Sequence, residues 1–99
     1  MARFDVRRLE NSTYLALELQ ANLLDGFNTR LVAPLVPKET IGSFVARLNP
    51  VFTVSGTSYV MLTQHMAAVP VSELGDVVCS LAEQQDSVTA ATEFLFQGF

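Results

Sequence analysis

The stretch "YLALELQ", Tyr14 to Gln20, alternates Leu15, Leu17 and Leu19 with Ala16, Glu18 and Gln20. A period of two sets the three leucines on one face of a β-strand. Just upstream, "ENS" at Glu10 to Ser12 supplies turn-forming side chains, and Ala2 to Arg8 is itself β-compatible. Together they predict a hairpin at the N-terminal end. The following "NLLDGFNT", Asn22 to Thr29, reads as a loop, with Leu23 and Leu24 where polar residues are expected. "RLVAPLVP", Arg30 to Pro37, reads as a short strand ended by Pro34 and Pro37, which cannot donate to an interior ladder.

Lys38 to Leu48 is expected to form one or two irregular helical turns, with Ile41, Phe44, Val45 and Leu48 on one apolar face and Gly42 weakening the case. "PVFTV" and "TSYVMLT" flank "SG", so Pro50 to Thr63 reads as a second hairpin, and "MAAVPV" as a further strand ending at Val71. No element is assigned between Val71 and Ala82. The period then changes. Ser80 with Glu83 makes a capping-box pair, and Val88, Ala91, Leu95 and Phe99 share a helical stripe beside Thr92 and Phe96. A helix is expected from about Ala82 to Phe96. The fold class is mostly β, antiparallel, with one C-terminal helix.

The 99 residues, 49% hydrophobic with a positive mean hydropathy, suit one domain over 1–99 with a single compact core. No apolar run approaches the ~18 residues that would span a membrane, and "MARFDVRRLE" lacks the apolar core of a signal peptide, so a cytoplasmic location is expected. Cys79 is the single cysteine and cannot form an internal disulfide; it reads as a small buried apolar residue. The net charge of −4 is unevenly placed. Residues 1–47 hold every basic residue (Arg3, Arg7, Arg8, Arg30, Lys38 and Arg47) and sum to +1; residues 48–99 hold Glu73, Asp76, Glu83, Asp86 and Glu93 and sum to −5. A half without Lys or Arg repels a phosphate backbone, which favours a protein partner over nucleic acid.

Little in the chain points to catalysis. His65 has no Cys, Asp or Glu within five residues, and a lone histidine is far more often packed or solvated than a ligand. No serine stands in a G-x-S-x-G setting, and the five glycines build neither a P-loop nor a dinucleotide fingerprint. Glu18 and Asp25 form an acid pair without supporting motif, which is usually a solvated face. No catalytic residue, metal site or cofactor is assigned. What stands out is hydrophobic display by Leu23 and Leu24 in a loop and Phe96 and Phe99 in "EFLFQGF". Two readings stay open: these residues close the core or a dimer seam, or they form an exposed interface patch.

"LLDGFNTRLVAPL", "YVMLTQHMAAVPV" and "FLFQGF" resemble, in order and spacing and nearly end to end, the CcdB family of bacterial toxins. The resemblance implies the CcdB/Kid/MazF fold, an SH3-like, barrel-like subunit with a five-stranded antiparallel sheet, a smaller sheet and a C-terminal helix, paired as a homodimer. It implies a non-enzymatic toxin that binds the A subunit of DNA gyrase and traps it on cleaved DNA. Partners would be gyrase and a cognate CcdA-like antitoxin, with no cofactor, no direct nucleic-acid contact and no membrane contact. Carried over position by position, the gyrase-binding residues are Leu23, Leu24, Glu93, Phe96, Gln97, Gly98 and Phe99, and Leu62, Met66 and Leu95 lie near the dimer seam.

Two positions depart from the family pattern. Its best-known ending is Trp-Gly-Ile, with the Trp stacked on a gyrase arginine; here Gln97 stands in that place, and Glu93 replaces a neutral Asn. Two other readings therefore accompany the resemblance. One is a MazF- or Kid-like endoribonuclease, for which Arg30, Asp25 and His65 are the candidate groups and which the acidic half disfavours. The other is a relative that keeps the fold and the antitoxin but has lost gyrase poisoning.

Overall fold

The computed structural model describes residues 3–10, 12–20 and 28–98. Among these residues the strands are β1 (Asp5–Leu9), β2 (Leu15–Glu18), β3 (Thr29–Pro37), β4 (Val51–Val54), β5 (Thr57–Met61), β6 (Ala67–Pro70) and β7 (Leu74–Ser80), followed by the helix α1 (Gln85–Gln97). All strand pairs are antiparallel, and the sheet order is β4-β5-β3-β2-β1-β7, with β6 also on β3. The five-stranded sheet and smaller sheet expected from the resemblance are thus joined through β3 into one curled sheet.

Both expected hairpins form. β1 pairs β2 with Val6 opposite Leu17, and β4 pairs β5 with Val54 opposite Thr57. Ser55 and Gly56, with φ of 52° and 83°, make the two-residue connection. Positive φ at both central residues is the turn geometry whose twist matches that of the strands it joins.

β3 runs through Pro34 rather than ending there, and the hydrogen-bond parity explains why. Leu19 donates its N–H to Leu31 at 2.9 Å, so alternate β3 residues from Leu31 onward face β2, and Pro34 faces the opposite edge. There β6 pairs Thr29 to Val32 and β5 pairs Leu35 to Pro37, so the missing N–H falls at the handover between partners. The Pro34 carbonyl still accepts the N–H of Leu62 at 2.9 Å.

Three other expectations need correction. Lys38–Thr40 forms a single helical turn, but no helix continues to Leu48, and Phe44 and Val45 are 36% and 54% exposed rather than sharing a buried face. The Asn49 carboxamide oxygen accepts the Val45 N–H at 3.2 Å, offering that backbone group an alternative to a helix. β7, unassigned in the sequence, pairs β1 along the sheet edge, with two register shifts that spoil alternation. Finally, the Ser80 hydroxyl accepts the N–H of Ala82 at 3.1 Å, but Leu81 is the N-cap of the short turn at Ala82–Gln84 and Gln84 that of α1, neither with a side-chain cap, so the capping box with Glu83 does not start α1.

Leu15, Leu17 and Leu19 join Val6, Leu35, Phe52, Met61, Leu81, Val88 and Ala91 in the main core. The opposite face of β2 is covered too, because Ala16 packs with Val32 and Leu74 against Leu9 and Val69. On that side Glu18 is 2% exposed and sits 3.6 Å from Arg30 Nε and 3.8 Å from Arg7 Nη1; its Oε2 accepts no hydrogen bond. At those distances the ion pairs are loose. Burial pushes the Glu18 carboxyl above its ordinary value of 4.5, outweighing the opposing pull of Arg7 and then Arg30.

The folded state therefore holds the Glu18 proton more tightly than the unfolded chain does. The stability this gives is fully present below about pH 4.5 and is lost as pH rises through the higher folded value. Urea midpoints measured from pH 4 upward are expected to carry this decline in the parent protein, and Glu18→Gln is expected to remove that component of the slope. Identical slopes would show that Glu18 does not titrate differently on folding.

Candidate functional site

The C-terminal helix has one well-buried stripe and a bare end. Val88 and Ala91 are buried and Leu95 is half-buried, so the apolar spacing holds α1 against the sheet for its first turns. Beyond Ala91 no described residue is fully buried. Glu93, Phe96 and Gln97 lie within one arc of the helix, turned away from that stripe at the 100° step of an α-helix, and all three are exposed. Phe96 is 74% exposed. Of the two readings of Phe96, display rather than core packing holds for the single subunit.

Gly98 ends the helix in the left-handed region with φ of 81°, its N–H donating to the Phe94 carbonyl at 2.9 Å. Glycine adopts this C-terminal geometry without the steric penalty of a Cβ. The turn presents Phe96 and Gln97 at the very end of the helix. Leu23, Leu24 and Phe99, the other residues expected on this surface, lie outside the described residues, as does Asp25.

The residues expected near a dimer seam lie close to the same helix. Leu62 and Met66 bracket a helical turn at Thr63–His65 that packs against α1, and both are half-buried, as is Leu95. Met66 also leans on the main core.

One contact had no signal in the sequence. The Arg47 guanidinium lies over the Phe94 ring at 4.8 Å from its centroid, joining the 41–49 segment to the end of α1. No spacing rule pairs residues so far apart in the chain.

Of the groups considered for nuclease chemistry, the buried Arg30 is placed otherwise than that chemistry needs. Arg30 is buried against Glu18, not presented to solvent where a phosphodiester would approach. His65 is exposed. Cys79 is half-buried rather than fully buried, packed beside the main core opposite Val6. Burial, with Asp5 nearby, pushes its thiol above the ordinary value, which disfavours the reactive thiolate. Among the described residues no group of three His, Cys, Asp or Glu is arranged to hold a metal, and no helix is long and apolar enough to cross a membrane.

Comparison with protein-family models matches residues 3–98 to the family described as CcdB protein. The chain belongs to the CcdB family. The mostly β architecture with a curled antiparallel sheet and one C-terminal helix is that of the CcdB fold. CcdB proteins are the toxins of toxin–antitoxin pairs, of the gyrase-poison type and not enzymes, and the family points to gyrase and an antitoxin as partner classes.

The exposure of Phe96 sets a stability expectation. Phe96→Ser should move the folding free energy by less than about 0.5 kcal/mol, as for a surface change that touches no special feature. Leu17→Ala, at a fully buried core position, should lower it by about 2–5 kcal/mol. Urea denaturation of the two variants measures both.

Proposed function

We propose that this protein is a toxin that binds the A subunit of DNA gyrase, traps the enzyme on cleaved DNA, and is neutralised by a cognate antitoxin. Family membership supports the class of activity. The observation that carries the assignment to this surface is the exposed end of α1, where Phe96 stands clear of the core beside Glu93 and Gln97. A phenyl ring in water gains by burial against a partner, at about 25 cal/mol per Å² of apolar surface removed. Leu23, Leu24, Gly98 and Phe99 complete the proposed gyrase-binding set.

The subunit is further proposed to act as a homodimer, with Leu62, Met66 and Leu95 near the seam. A two-fold axis there would set two helix ends side by side and double the apolar patch. Sedimentation equilibrium at micromolar concentration is expected to give twice the mass of the chain. A monomer under those conditions would remove the paired-tail arrangement.

Gln97 favours a second reading, a CcdB relative that has lost poisoning. Glutamine offers no π face to a guanidinium, a contact worth about 0.5–2 kcal/mol. Deleting Gln97 to Phe99 tests whether the tail is the gyrase surface or part of the core. The shortened protein is expected to melt nearly as the full chain does, yet to lose binding to the gyrase A subunit and toxicity in a sensitive host. Gln97→Trp is expected to strengthen gyrase binding, since it restores a flat ring for a guanidinium to stack on. A full chain that leaves gyrase untrapped while Gln97→Trp traps it would move the lost-poison reading to first place, and RNA cleavage by the full chain would favour the nuclease.

A further inference from the structure

Segment 45–49 is fastened from below. Asn49 is 2% exposed; its Nδ2 donates to the Met61 carbonyl at 3.0 Å and to Gln64 Oε1 at 2.7 Å, while its Oδ1 accepts the Val45 N–H. The Asn49 N–H donates to the Val45 carbonyl at 2.7 Å, and the buried Thr63 hydroxyl donates to the Leu48 carbonyl. A buried polar network with these groups satisfied rigidifies what it connects. It ties the segment to the end of β5 and to the Thr63–His65 turn, which packs on α1.

Arg47 sits inside this fixed segment. It makes no ion pair among the described residues, and its guanidinium rests on Phe94 instead. Phe94 opens the last turn of α1, the turn without fully buried anchors and without a basic residue of its own. Helix ends of this kind fray, and a cation near a helix C-terminus also meets the negative end of the helix dipole. Arg47 meets that turn from the side, its guanidinium over the Phe94 ring.

We infer that Arg47 is a positioning residue: clamped by the Asn49 network, it holds the last turn of α1 through Phe94 and so fixes the direction in which Phe96 and Gln97 are displayed. This rests on the tail being the partner-binding surface. Arg47 need not touch the partner. A tail that samples other orientations binds more weakly in proportion to the fraction out of place. Losing the clamp can therefore weaken binding by no more than the clamp itself contributes, about two- to fivefold for an exposed cation–π contact.

The test is a double-mutant cycle with Arg47→Ala and Phe94→Leu. It is read by affinity for the gyrase A subunit, by thermal melting, and by amide hydrogen exchange at residues 95–98. Each single variant is expected to bind about two- to fivefold more weakly. The double variant should be no weaker than either single one, Arg47→Lys should keep part of the affinity, and melting should stay near the parent's. Faster exchange at 95–98 in Arg47→Ala is the direct sign of a released clamp. Additive losses, or unchanged exchange at 95–98, would overturn the inference. Phe96→Ala serves as the control on the surface itself. If it leaves gyrase binding intact, the tail reading fails, while the exchange rates still decide whether Arg47 holds the helix end.

Discussion

β3 has to bond with three strands at once, and the rest of the subunit is arranged around how it does so. β2 lies along one edge, while β6 and then β5 share the other. An unpaired N–H on such a central strand would be a buried donor without a partner, which is expensive. Placing Pro34 at the handover removes that donor where neither neighbour could receive it. The same strand joins the N-terminal hairpin and β7 to the second hairpin, so Leu17, Leu35 and Met61 meet in one core over which α1 lies. Without the handover the two hairpins would have no common sheet.

Much of this was legible where the signal is local. Alternating leucines and an adjacent turn identify β2 and its hairpin, and the Ser-Gly dipeptide marks the turn between β4 and β5. β7 was not legible. It is an edge strand with two register shifts, and Gly75 sits against Arg8, where a Cβ would come within 3.3 Å of the Arg8 Cβ. Its apolar residues therefore do not alternate. Segment 38–48 misled for the opposite reason: its spacing suits a helix, but the Asn49 side chain draws off the Val45 backbone in a contact that no periodicity encodes.

The candidate site was legible mainly as an anomaly. Aromatic residues at a chain end invite a question, but spacing alone left open whether Phe96 was core or display, and the family strings supplied the proposed function. Neither Arg47 over Phe94 nor the burial of Glu18 could be read. The first joins distant positions. The second depends on the far face of β2 being covered by Leu9, Val32, Val69 and Leu74, while alternation says only that Glu18 opposes the leucines.

The inward turn of Arg7 and Arg30 also shapes the protein's solution behaviour. These two cations are turned inward beside a buried carboxylate, with Arg7 Nε donating to the Gly75 carbonyl at 2.9 Å, whereas Glu73, Asp76, Glu83, Asp86 and Glu93 all face solvent. At neutral pH the outer surface is therefore more anionic than the net charge of −4 implies, which keeps molecules apart by mutual repulsion. Near the sequence isoelectric point of about 4.7 that repulsion is much weaker. The exposed Phe96 then has least to prevent it from meeting other apolar surface, and colloidal solubility is lowest there.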